Sequence, residues 1–256
     1  MITETFDPTS PEVITAGMFI DPIEDCPATA IVTFQQDTMR LLLSSYPSGQ
    51  LTLLSFGMSI DVDVQRVASD GNLYATCLSP IGGPAAVAVL EDLIACGVKR
   101  FVVFGSCGVL IPGVAAGRLI VPNEAVRDEG TSYHYAPASE TIALTTAPEL
   151  AGILDEIGAP YVTGMTWTTD AFYRETRALV DRRVKQGCVA VEMEAASLAA
   201  MSQLRGVDVY HFLYAADSLE GEWDRRIPGH VGDEPQSGFI RVALAVAKAL
   251  EEKYEA

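Results

Sequence analysis

Short apolar runs alternate with amphipathic stretches along most of this chain, and the alternation sets out its elements. Ala30 to Phe34 (AIVTF), Leu51 to Phe56 (LTLLSF) and Leu73 to Leu78 (LYATCL) have the length and composition of buried strands. A helix is expected from Ala85 to Ala95, with Pro84 in its first turn and Gly97 at its C-terminal stop. Phe101 to Phe104 (FVVF) is an all-apolar strand running into Gly105-Ser106-Cys107-Gly108. Leu119 to Pro122 and a segment near Ala125 read as two further strands, followed by a loop from Asp128 to Pro137. A helix is expected near Pro148 to Ile157, then a strand from Tyr161 to Thr168. Arg174 to Lys185 is a charged amphipathic helix that Gly187 ends. Cys188 to Val191 is a strand leading into an Ala-rich helix, Ala195 to Leu204. Asp208 to Ala216 is apolar and strand-like, and Phe239 to Lys253 makes a closing amphipathic helix.

Strands and helices taking turns over short connections predict an α/β fold, a three-layer sandwich around a mixed, largely parallel central sheet. Residues 1–27, rich in Pro, Thr, Asp and Glu, read as an irregular N-terminal arm. With no internal repeat, low-complexity tract or linker, one domain over 1–256 is expected.

Composition narrows the function classes. A 256-residue chain with 49% hydrophobic content can bury a large core without a disulfide or metal staple. No apolar run approaches the ~20 residues that cross a bilayer. Glu4 and Asp7, with no basic residue before an apolar core, do not make a signal peptide. The 17 Lys and Arg stand against 34 Asp and Glu, a net charge of −17. Such a surface repels phosphate backbones and anionic lipid, so neither nucleic acid nor a membrane is an expected partner. A small anionic substrate needs only local positive potential. Cys26, Cys77, Cys96, Cys107 and Cys188 are scattered, and with His134, His211 and His230 they form no zinc-ligand spacing. Reduced thiols in a cytoplasmic protein, and no metal, are expected.

In a sheet of this kind ligands bind beyond the carboxyl ends of strands, and the unusual residues gather there. Ile81-Gly82-Gly83-Pro84 sits at a strand–helix turn, where Gly82 and Gly83 let backbone N–H groups approach an anion or a sugar hydroxyl. An ordinary tight turn is the alternative. In Gly105-Ser106-Cys107-Gly108, neither Ser106 nor Cys107 has an assigned base, so Ser106 reads as a hydroxyl donor on a Gly loop and not as a nucleophile. In Val189 to Ala196, Glu192 and Glu194 stand in an apolar stretch. A buried acid needs a partner or a task, although acids at a helix N-terminus are also favoured by its dipole. Asp217 closes an apolar strand and could act as an acid if burial raises its pKa, or be a solvated loop residue. Phe172 and Tyr173, after Trp167 to Asp170, could stack on a planar base or pack in the core.

Together these segments resemble the nucleoside phosphorylase/nucleosidase superfamily, which holds hexameric purine nucleoside phosphorylases, uridine phosphorylases and methylthioadenosine/S-adenosylhomocysteine nucleosidases. The resemblance runs from about Ala30 to the C-terminus. Val191-Glu192-Met193-Glu194-Ala195-Ala196 is its most specific element. Ile81 to Pro84, Gly105 to Gly108 and Gly130-Thr131-Ser132-Tyr133-His134-Tyr135-Ala136-Pro137 follow in the family's order. Thr169-Asp170-Ala171-Phe172-Tyr173 looks like a base-binding segment. The resemblance implies cleavage of the N-glycosidic bond of a nucleoside, with no cofactor beyond inorganic phosphate as co-substrate. It implies that Met193 and Glu194 hold the ribose, Phe172 stacks on the base with Tyr173 beside it, and Ser106 contacts phosphate or ribose. His134 is a further loop candidate. Asp217 takes the place of the acid that protonates a purine, which favours a purine-like leaving group. A homodimer or hexamer is implied as well.

Departures from the family concern the nucleophile. Phosphorylases carry G-D-P-x-R after the first strand; here the stretch reads Thr33-Phe34-Gln35-Gln36-Asp37-Thr38-Met39-Arg40. Val103 stands where a second phosphate-binding Arg precedes the Gly turn, and Ser55 to Asp63 contains no Arg for a third. The charge-assisted hydrogen bonds that such arginines make to phosphate are worth roughly 1.5–3 kcal/mol each. Nucleosidases also lack these arginines and orient water with an acid, a role Asp37 can take. Arg40, Arg174 or Arg177 could instead supply charge from new places. Phosphate and water both stay open as nucleophile, and an inactive nucleoside-binding module on the same fold is the alternative to an enzyme.

Overall fold

The computed structural model describes residues 1–56, 60–225 and 233–255. Among them run strands β1 (Thr29–Thr33), β2 (Ser48–Phe56), β3 (Ile60–Ser69), β4 (Asn72–Leu78), β5 (Arg100–Val109), β6 (Leu119–Asp128), β7 (Thr141–Ala143), β8 (Tyr161–Thr169), β9 (Cys188–Glu192) and β10 (Asp208–Ser218). The helices are α1 (Gln36–Ser45), α2 (Gly83–Cys96), α3 (Ser132–Tyr135), α4 (Ala147–Glu156), α5 (Arg177–Gln186), α6 (Ala195–Arg205) and α7 (Asp233–Glu255). The expected N-terminal arm holds two 3-10 turns, Ile2–Glu4 and Ala16–Met18. Several elements differ from the sequence expectation: α1, β3, α3 and β7 were not foreseen, α5 starts at Arg177 after a 3-10 turn over Phe172–Arg174, and the two segments near Leu119 and Ala125 are one strand, β6.

All ten strands belong to one mixed sheet flanked by helices, the α/β architecture expected. Its order is β10-β6-β8-β9-β5-β1-β4-β3-β2, with β7 on β6. Strand β10 pairs with β5 as well as β6, so β5, β9, β8, β6 and β10 close into a ring. Alternate residues face opposite sides. Ile31, Val102, Phe104, Tyr210 and Phe212 pack with Leu42 of α1, Leu150 of α4 and Ala243 of α7. Ala30, Val32, Phe101, Val103 and Val209 pack with Val87, Leu90 and Leu93 of α2. Inside the ring Cys107, Val109, Ile120, Ala190, Leu213 and Ala215 form a separate cluster.

The ring fixes where a site can open. On one side β5 pairs with β10 along its length. On its other side β5 pairs with β1 over Arg100–Phe104, then with β9 at Gly108 and Val109. Between those two partners β5 is uncovered, and Ser106 stands there, a switch point of the kind that holds ligands in α/β sheets.

Candidate active site

A cleft of about 840 Å³ opens at this switch point, lined by Gln35, Ser106, Met193, Glu194, Phe172, Tyr173, Glu175, Asp217, Trp223 and Arg225 among others. Strands β1, β4, β5, β8, β9 and β10 contribute at or just beyond their carboxyl ends. Gln35 follows β1 and donates from Nε2 to Ser106 Oγ at 3.1 Å. The glycines beside Ser106 serve close packing: a Cβ on Gly105 would lie 2.9 Å from Phe34, and one on Gly108 would lie 2.6 Å from Leu219 and 2.9 Å from Val191. Cys107 points into the ring, donates to the Tyr214 carbonyl at 3.5 Å, and burial pushes its thiol well above the usual range. It is not a nucleophile.

The two acids at the β9–α6 junction have different surroundings. Glu192 Oε2 accepts the N–H groups of Glu194 (2.7 Å) and Ala195 (2.6 Å), and its Oε1 accepts from Thr168 (2.6 Å). With both oxygens satisfied, Glu192 is a structural cap on the start of α6. Glu194 lines the cleft, buried, and its Oε1 accepts the Gly82 N–H at 2.6 Å. Gly82 has φ +97°, in the left-handed region, and begins α2. The positive end of α2 therefore faces the Glu194 carboxylate. Burial first, then the charge of Glu192, raises the Glu194 pKa. Gly83 is packed beneath, where an added Cβ would fall 2.2 Å from Ser197 Oγ.

Aromatic side chains line the same cleft. Phe172 and Tyr173 touch at 4.0 Å between ring centroids yet stay 48% and 89% exposed, and Trp223 is 64% exposed. So many exposed rings around one cleft are unusual for surface residues and suit a planar ligand. Trp223 Nε1 donates to Asp217 Oδ2 at 2.7 Å, in a loop closed by the Ser218–Asp224 bridge. Trp167, by contrast, is a buried core residue.

The structure brings Ser106, Met193, Glu194, Asp217, Phe172 and Tyr173 into one cleft, with Gly82 joined to it through Glu194. It leaves Asp37 and His134 out of the lining. Asp37 lies in the first turn of α1, its carboxylate 2.7 Å from Arg40 Nη1, because a helix places residues three apart on the same face. His134 is exposed on α3, in a loop that the buried Arg127 organises through Ser132 Oγ and the Pro137 carbonyl. Arg40 is committed to Asp37, and Arg177 to the carbonyls of Leu219, Glu220 and Gly221. Arg174 is not in the lining, and Arg225 is the cation that lines the cleft among the described residues. Part of Ser55 to Asp63 (57–59), and His230, lie outside the described residues. Among those described, no group of three or more His, Cys, Asp or Glu is arranged to hold a metal. No helix among them is long and apolar enough to cross a membrane.

Sequence reasoning missed Gln35, Glu175, Trp223 and Arg225. Gln35 was visible as a polar residue at a strand end; Glu175 was hidden inside what read as the start of a charged helix.

Residues 51–252 match the family model described as the phosphorylase superfamily. The chain belongs to that superfamily. Among its relatives is a guanosine phosphorylase of Halorubrum lacusprofundi, 28% identical over 199 residues, covering 73% of this chain and 80% of that protein. A uridine phosphorylase of Thermococcus kodakarensis is 34% identical over 144 residues, 50% of this chain and 51% of the relative. A uridine phosphorylase of Salmonella typhimurium is 29% identical over 160 residues, 56% of this chain and 62% of the relative. The family match covers every cleft residue named above except Gln35.

Proposed function

We propose that this protein is a cytoplasmic nucleoside phosphorylase that cleaves the N-glycosidic bond of a purine-like nucleoside, using inorganic phosphate and no other cofactor. The observation that carries the reading is what converges on one cleft. The buried carboxylate of Glu194 and an acid among aromatic rings, Asp217, line the same space. A nucleoside matches that set: a diol that donates to a carboxylate, and a flat base that leaves more easily when protonated. Glu194 would accept hydrogen bonds from the sugar hydroxyls and stabilise positive charge on the sugar as the bond breaks. Phe172 would stack on the base, and Asp217 would give it a proton. Ser106, Gln35 and the N-terminus of α2 offer donors for phosphate. Five free cysteines, four of them buried, support a reducing compartment. Exposed Val13, Ile14, Met18 and Phe19 in the arm support a homo-oligomer, a dimer or hexamer.

Hydrolysis is the second reading, favoured by one observation: among the described residues a single cation, Arg225, lines the cleft. Incubation with inosine, guanosine, adenosine, uridine and methylthioadenosine, with and without phosphate, separates the two. Strict phosphate dependence with release of ribose 1-phosphate is expected. Free ribose at an unchanged rate without phosphate establishes hydrolysis, and binding without turnover of any nucleoside overturns both.

A further inference from the structure

Asp217 does not follow the simple alternation of its strand. Strand β10 pairs with β5 up to Ala215 opposite Cys107, and the next pair is Asp217 opposite Gly108, so Ala216 is an extra residue, a bulge. Bulges re-aim side chains and are frequent beside active sites. Here Asp217 lines the cleft, and its Oδ1 lies over a residue with no side chain: a Cβ on Gly108 would stand 3.4 Å from it. The other oxygen, Oδ2, accepts the Trp223 Nε1–H at 2.7 Å. The loop that carries Trp223 is fastened in several places. Ser218 and Asp224 exchange two backbone hydrogen bonds of 2.9 Å, and the Leu219 N–H donates to the Val109 carbonyl at 2.8 Å. From α5, Arg177 donates to the carbonyls of Leu219, Glu220 and Gly221. The Trp223 ring is nonetheless mostly exposed, so burial is not what keeps it there. Its polar atom is spent on the acid of the site.

We propose that Trp223 is the positioning residue for Asp217: its indole N–H holds one carboxyl oxygen, presents the other to the base, and stabilises the carboxylate that forms as the proton leaves. The proposal rests on the N-glycosidic cleavage reading and deepens its base-side half. In the step served, the C1′–N bond breaks and its electron pair passes into the base. The proton on Asp217 Oδ1 moves to a base nitrogen, and an oxygen of the nucleophile bonds to C1′. Negative charge then appears on Asp217, and a hydrogen bond to a charged acceptor is roughly twice as strong as one to a neutral acceptor. The indole therefore contributes more in the transition state than before it, which is the condition for raising kcat. A cation on the same oxygen would hold Asp217 ionised and unable to give a proton; the indole donor carries no formal charge. Because the loop fixes that donor in advance, little reorganisation accompanies the step.

Two measurements test the assignment. Trp223→Phe keeps a ring in the cleft and removes the donor. With a purine nucleoside it should lose about 10- to 100-fold in kcat, with KM changed far less. With a nucleoside alkylated at N7, whose base leaves without a proton, the loss should shrink to a few-fold. Unchanged kcat, a loss carried by KM, or an equal kcat loss on both substrates overturns the proposal and leaves Trp223 a wall of the cleft. The second measurement needs no turnover. The chain has two tryptophans, and Trp167 donates from the core to Asp128 Oδ2 at 2.9 Å, so its indole N–H signal in NMR reports that a variant is folded. The Trp223 signal, identified by its absence in Trp223→Phe, should move upfield in Asp217→Asn and further in Asp217→Ala, with the Trp167 signal in place. A Trp223 signal that stays put in both variants overturns the proposal whatever the protein cleaves. A signal that moves in a protein cleaving no nucleoside upholds the indole–carboxyl contact and counts against the cleavage reading instead.

Discussion

The Gly82 N–H donates to Glu194 Oε1 at 2.6 Å, joining the N-cap of α2 to the start of α6. The carboxylate assigned to the sugar is thus held, before any sugar arrives, by a backbone donor at the positive end of a helix. A group positioned in this way needs little reorganisation when the sugar becomes cationic.

Glu194→Gln should therefore cost activity and not folding. Above the raised pKa, where the group is ionised, loss of its charge should lower kcat by about 10²–10³. The folded protein holds a proton on Glu194 that the unfolded chain has given up, because burial and Glu192 raise its pKa. Its contribution to stability is full below the usual carboxylate range and is lost as pH rises through the raised value. The melting temperature of the variant relative to wild type should increase from about pH 5 to about pH 8. Calorimetry across that range checks it, and a constant difference would contradict the burial argument.

Glu192→Gln should do the reverse. Its carboxylate satisfies two backbone N–H groups and a threonine hydroxyl, so the amide should cost roughly 1–3 kcal/mol of stability. Turnover per folded molecule should change far less than in Glu194→Gln; equal kinetic losses in the two variants would contradict the division of roles.

His211 makes the protein sensitive to acid. It is fully buried on β10, neither ring nitrogen has a hydrogen-bond partner among the described residues, and burial lowers its pKa to about 4. The unfolded chain takes up a proton below about 6.5 that the folded form resists until about 4, so stability is lost as pH falls through that window. The full effect is on the order of 3 kcal/mol. His211→Leu should melt higher than wild type near pH 4.5 and show a shallower acid dependence; parallel curves would refute this.

Gly108→Ala tests the packing beside Asp217. The new Cβ would fall 2.6 Å from Leu219 and 2.9 Å from Val191, with Asp217 Oδ1 at 3.4 Å. Destabilisation of about 1–3 kcal/mol is expected, with a fall in kcat as Asp217 shifts. Denaturant unfolding together with kinetics checks both parts, and a variant as stable as wild type contradicts the close packing.

Strands were legible where apolar residues run together, as in FVVF or HFLYAA. Strand β3 was not, because Asp61 and Asp63 alternate with the buried Val62 and Val64 and break the apolar run. Helix α1 was missed because only Thr38, Met39 and Leu42 of its ten residues are buried. Site residues at strand ends, such as Ser106, Glu194 and Asp217, could be found from position alone. Glu175 could not: it lines the cleft where Arg177 reaches carbonyls of a distant loop, and no local pattern encodes that. Asp37 stood out through the resemblance to nucleosidases, which place an acid on this loop, yet helical geometry turns it to Arg40, and Gln35 is the residue that meets Ser106.

Because β5, β9, β8, β6 and β10 close on themselves, the catalytic floor cannot breathe by parting two neighbouring strands; each stays tied to the other through the rest of the circuit. Traffic of nucleoside and base must then pass over the rim, between the Phe172–Glu175 turn and the loop that carries Trp223. Turnover limited by product escape would accordingly answer to changes in those two segments and be indifferent to substitutions along the free edge at β2.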